Sequence, residues 1–133
     1  MPKHVLLVDE VDEDRDIYGA GLTDLGYQVT VSGYSGAVRT AIRIRPDVVV
    51  LHVGPAPGWN TGDALLHSCG TIPVVALTAA VRPDGANRAR ARGLHNCAAF
   101  VGKPCTHEDL AGVIGRVLGG ERGIETTAGA LHQ

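Results

Sequence analysis

The most apolar run of this chain, Val48 to Leu51, closes on a histidine, His52, and then turns through the glycines and prolines of "VGPAPG". An imidazole at that point can hold a proton, ligate a metal or act as a nucleophile. Other reactive side chains stand at the ends of other apolar runs. Asp9 and Glu10 follow "VLLV", Thr78 follows "VVAL", and Lys103 with Pro104 follows "AAFVG". One such group at the end of a run is unremarkable. Two acids, an imidazole, a hydroxyl and an ammonium at corresponding ends would converge on one rim if those runs were parallel strands.

The pattern between the runs says that they are. Apolar stretches at 4–9, 27–32, 47–53, 73–78 and 98–102 alternate with helix-length segments at about 13–25, 35–45, 62–69, 84–92 and 106–118. Apolar residues on consecutive positions suit a parallel sheet covered on both faces. Five βα units of this size predict an α/β domain with a doubly wound sheet of order 2-1-3-4-5. In such a sheet ligands bind outside the carboxyl ends of the strands, where the order reverses, here between the first and third strands.

Punctuation supports the segments. Gly26 and Gly93 can close the first and fourth helices, and Pro83 can open the fourth. Ser35 is a cap for the second, and Thr106 with Asp109 forms a capping box for the fifth. Gly19 and Gly21 each cost about 1 kcal/mol inside the first helix, so packing must hold it. The domain is expected over 1–118, with a flexible glycine-rich tail over 119–133.

Totals set bounds. One domain fits in 133 residues. A formal net charge of −2 leaves no global footprint for nucleic acid or membrane. No apolar run is long enough to span a bilayer. Three cysteines, Cys69, Cys97 and Cys105, without a C-x-x-C spacing, fit a reducing cytoplasm better than a disulfide framework or a structural zinc.

Residues 4 to about 118 resemble a response-regulator receiver domain of two-component signalling, a flavodoxin-like three-layer sandwich. The carriers, in order and at these spacings, are "LLVDE", "RPDVVVLHV", "PVVALTAA" and "AAFVGKP". The resemblance implies a phosphoryl group moved from a histidine kinase to an aspartate at the end of the third strand. It implies Mg²⁺ at Asp9 and Glu10, phosphate held by Thr78 and Lys103, a switching aromatic at Phe100 and a cis peptide before Pro104. It also implies a partner surface on the fourth helix, fifth strand and fifth helix, and a tendency to dimerise.

The acceptor position breaks the pattern, because His52 stands where the aspartate should be. The loop after it, "GPAPGWNTG", is rebuilt as well. Losing a carboxylate removes an oxygen ligand and a negative charge, so weak Mg²⁺ binding at most is expected, and no cofactor. His52 has three readings. It fills the pocket and freezes one conformation, it senses protons or a metal, or it accepts phosphate on nitrogen. Nearby carboxylates favour its charged form, and a histidine with two carboxylates suits a transition metal better than Mg²⁺.

Arg82, Arg88, Arg90 and Arg92 crowd the fourth helical segment, with Arg88 and Arg92 on one face. They read either as a docking face for an acidic partner or as a solvated surface. No aromatics interleave them, which disfavours nucleic acid. Cys105 reads as a bystander, and Trp59 as a lid or contact residue. A nucleotide- or flavin-binding domain would need a glycine-rich loop where "VDEVDED" crowds acids. A cobalamin-binding pattern is broken at Val50. A metal-dependent hydrolase lacks a positioned nucleophile. The sequence therefore points to a non-enzymatic, cytoplasmic signalling module. It would contact a histidine kinase or output protein, with pH sensing, metal sensing or histidine phosphorylation as alternatives.

Overall fold

Each of the five apolar runs forms a strand: β1 (His4–Val8), β2 (Gln28–Ser32), β3 (Val48–His52), β4 (Val74–Thr78) and β5 (Ala99–Gly102). The helices between and after them are α1 (Asp12–Asp24), α2 (Ala37–Ile44), α3 (Ala56–Ser68) and α4 (His107–Leu118). The computed structural model describes residues 2–53, 56–78, 97–102 and 105–126, with backbone alone for 56, 57 and 59. The expected fourth helical segment, with Pro83, Gly93 and the four arginines, lies outside the described residues, as do Lys103 and Pro104.

With a sixth strand, β6 (Ile124–Thr126), all pairings among the described residues are parallel, and the order is β2-β1-β3-β4-β5-β6. The first five positions match the expected order. The sixth strand corrects the reading of a flexible tail for residues 119–126, and residues 127–133 of that tail lie outside the described residues. Gly120 and Gly123 adopt positive φ and turn the chain back, and Ile124 then pairs with Ala99 and buries its side chain. Three residues with one aliphatic side chain carry no periodicity, which is why the sequence does not announce them.

Strict alternation divides the consecutive apolar residues between two cores. Val5, Leu7, Val48, Val50, Val75, Leu77 and Val101 face α1 and α4, joined by Leu22, Leu110 and Ile114. Leu6, Val8, Val49, Leu51 and Ala76 face α2 and α3, joined by Ala41 and Leu65. Every residue of β3 is buried, as a central strand covered on both sides requires. The edge strand β2 is largely half-exposed.

Helix ends follow capping chemistry in part. Thr106 accepts from the Asp109 N–H at 3.0 Å, and Asp109 accepts from the Thr106 N–H at 3.3 Å, the reciprocal box expected. Gly26, at φ 99°, ends α1. Ser35 does not cap α2. Gly36 occupies that position, without a side-chain bond. The third helix starts at Ala56 rather than 62. Pro57 lies in its first turn, where an N–H has no intrahelical partner to lose, so the proline opens the helix rather than delaying it.

Gly21 shows why α1 tolerates poor helix formers. A Cβ there would lie 2.2 Å from Cγ of His107 at the start of α4. The missing side chain lets the two helices close over one core. What α1 loses in propensity it recovers in packing.

Candidate functional site

The reversal of strand order between β1 and β3 leaves a cleft at their carboxyl ends. Val8 pairs with Leu51, so Asp9 and His52 are the next residues on neighbouring strands. Asp9 is buried, and its Oδ2 lies 3.6 Å from Nδ1 of His52, whose side chain is only 10% exposed. Oδ1 of Asp9 accepts from the Val11 N–H at 2.9 Å, and the Asp9 N–H donates to the Ser32 carbonyl at 3.0 Å. Both the backbone and the carboxylate plane are thereby set.

Glu10 is placed differently from expectation. It is exposed, and its Oε1 accepts from the Tyr34 N–H in the loop after β2. Gly33 makes room for it, since a Cβ there would lie 2.8 Å from Oε1. The second acid of the cleft is instead Asp14, in the first turn of α1. Ligand atoms of Asp9, Asp14 and His52 all lie within 4.8 Å of one another. Helical geometry explains the exchange. Residue 10 precedes the helix and splays toward β2, whereas residue 14 comes round on the turn that overhangs β1. Asp12 points elsewhere and pairs with Arg15.

Tyr34, a residue with no signal in the sequence, holds His52 from behind. Its hydroxyl donates to the His52 carbonyl at 2.7 Å. Burial, with the charges of Asp9 and Glu10 adding to it, pushes the Tyr34 hydroxyl up to about 12, so it stays a donor at neutral pH. Gly58 packs against the same carbonyl, where a Cβ would lie at 2.5 Å.

Thr78, half-buried at the tip of β4, follows Leu77, the register partner of His52, and so shares the rim. Phe100, also half-buried, packs on the core beneath α2 and α3. Cys105 is half-buried, and its carbonyl accepts from the Tyr18 hydroxyl at 3.1 Å, tying α1 to the segment after β5. The three cysteines are free thiols, and burial pushes that of Cys97 up to about 12. Lys103, Pro104, Arg88 and Arg92, and the side chain of Trp59, lie outside the described residues. Among the described residues no helix is long and apolar enough to cross a membrane.

No protein family model matches the chain, and no curated protein does. Solved structures do. A putative response regulator from Chloroflexus aurantiacus superposes with a TM-score of 0.78 at 19% identity, over 90% of this chain and 99% of that one. The receiver domain of a modulated diguanylate cyclase from Desulfovibrio desulfuricans gives 0.77 at 24% identity, over 90% and 96%. The chemotaxis response regulator CheY4 of Vibrio cholerae gives 0.76 at 22%, over 88% and 99%. These superpositions, together with the parallel sheet and its reversal point between β1 and β3, show that this chain has the flavodoxin-like fold of response-regulator receiver domains.

Proposed function

We propose that this chain is an atypical receiver module of two-component or phosphorelay signalling, acting by protein contact and without aspartyl phosphorylation. The observation that carries the reading is His52. It stands buried beside Asp9 at the tip of β3, the position from which the resemblance expects an aspartate to accept phosphate. An imidazole cannot form an acyl phosphate. The module performs no catalysis of its own, works in the cytoplasm, and presents one shape to a histidine kinase or an output protein, as a monomer or a homodimer.

Two features support weak binding of Mg²⁺. This ion takes a near-octahedral set of oxygens, usually carboxylates and waters. At this cleft β3 contributes an imidazole, and Glu10 is committed to the loop after β2. An imidazole in place of an oxygen ligand makes this a poor donor set for Mg²⁺. Tyr34 and Gly58 fix the His52 backbone from two sides, which suits a site held in one state.

The test uses acetyl phosphate with Mg²⁺ and intact mass measured at neutral pH, on the wild type and on His52→Asp. The wild type should gain no phosphoryl group, and His52→Asp should gain one that requires Mg²⁺. Covalent phosphate on the wild-type chain would refute the proposal.

A further inference from the structure

We propose that Asp9, Asp14 and His52 form a binding site for a first-row divalent transition ion of the zinc and nickel class. The three side chains arrive from three separate elements: the end of β1, the first turn of α1 and the tip of β3. Two are buried, Asp9 at 1% and His52 at 8% exposure, and Asp14 is half-buried above them.

The spacing suits one ion. Ligands at about 2.0–2.2 Å in a tetrahedron stand roughly 3.3–3.6 Å apart along each edge. The separation of His52 Nδ1 from Asp9 Oδ2, 3.6 Å, matches such an edge and exceeds the length of a good hydrogen bond. All ligand atoms lie within 4.8 Å, so a side-chain rotation that moves the carboxylate of the half-buried Asp14 by about 1 Å closes the set. A fourth ligand, water or a partner's side chain, would complete the set.

The donor chemistry selects the ion. One imidazole with two carboxylates suits zinc, nickel or cobalt, whereas hard cations prefer oxygen alone. The ligands also have the outer support that metal sites use. The Val11 N–H fixes the Asp9 carboxylate, and the Tyr34 hydroxyl and Gly58 fix the backbone of His52. The ion would lock α1 to the β1–β3 rim. The surface around that rim would then depend on metal supply.

This inference goes beyond the signalling reading and is tested without a phosphodonor. Failure to bind metal leaves that reading standing, and phosphate on the wild type leaves the metal site standing. The full chain, reduced and stripped with chelator, is titrated with zinc chloride by calorimetry in about 5 mM Mg²⁺. One equivalent should bind, at micromolar affinity or tighter. Asp14→Asn and His52→Ala should each weaken binding about 10-fold or more, with the circular dichroism of Asp14→Asn unchanged. Exposed His67→Ala should bind as the wild type does, and the Co²⁺ form should show no thiolate charge-transfer band. Absence of zinc uptake at about 0.1 mM overturns the proposal. So does wild-type affinity in Asp14→Asn, or an equal loss in Glu10→Gln.

Discussion

Replacing Gly58 with alanine should loosen the cleft from beneath. Gly58 is buried in the first turn of α3, where a new Cβ would lie 2.5 Å from the His52 carbonyl oxygen, 2.9 Å from the Tyr34 hydroxyl and 3.0 Å from Cα of Val53. Two of those neighbours are backbone atoms, so relief requires α3 to move off β3 by about 1 Å, toward ordinary contact distances. Overpacking of this kind costs about 1–3 kcal/mol. Weakening the 2.7 Å bond from Tyr34 to His52 adds about 1 kcal/mol. Alanine recovers about 1 kcal/mol of helix propensity. The net is a destabilisation of about 1–3 kcal/mol. Gly112→Ala is the matched control. It lies exposed in α4 with nothing within 4 Å, so propensity alone acts and the fold should gain up to about 1 kcal/mol. Urea unfolding followed by far-ultraviolet circular dichroism reads both. With a slope of about 2 kcal/mol per molar, the Gly58→Ala midpoint should fall by about 1 M and the Gly112→Ala midpoint should rise by up to about 0.5 M. Equal midpoints for Gly58→Ala and wild type, or a fall in both variants, would refute the close-packing argument.

Two further outcomes follow from the geometry. Thr106→Ala removes the hydroxyl that accepts from the Asp109 N–H at the start of α4, leaving only the backbone half of the box, and should cost about 1 kcal/mol in the same urea assay, while Thr106→Ser keeps most of it. Stability should also fall in alkali. Burial foremost, with contacts to Cys105 after it, raises the Tyr18 hydroxyl, and burial with the charges of Asp9 and Glu10 takes Tyr34 up to about 12. Below the ordinary tyrosine value near 10 both states keep these protons; above it the unfolded chain sheds them first. The fold therefore loses stability from about pH 10 toward pH 12. Phenolate absorbance of these two should appear together with the loss of circular dichroism. Ionisation of all three tyrosines near pH 10 in an intact fold would show the burial argument wrong.

The strands were legible because burial on both faces leaves a direct mark in the apolar runs of β1, β3, β4 and β5, while the half-exposed edge strand β2 showed in the alternation of "YQVTVS"; each run is matched by a strand to within two residues. The reversal point between β1 and β3 followed from parallel order alone, and with it the meeting of Asp9 and His52. Helix starts were less clear. Pro57 looked like a turn and proved to be a first-turn residue, and Ser35 looked like a cap and lies one residue too early. The strand Ile124–Thr126 has too few residues to show a period and exists because β5 offers it an edge.

The composition of the cleft divides in the same way. That an imidazole closes β3 where a carboxylate was expected is written in the sequence, because strand ends and parallel order locate it without coordinates. Which acid joins it was decided by the tertiary structure. Glu10 and Asp14 are both acids close to Asp9 in the chain. The angle at which α1 leaves β1 turns the first toward Tyr34 and the second over His52. Gly21 helps to permit that angle, since only a residue without a side chain lets α1 lie against His107. Identity and order along a strand are local properties, whereas the direction of a side chain from a helix depends on everything the helix packs against.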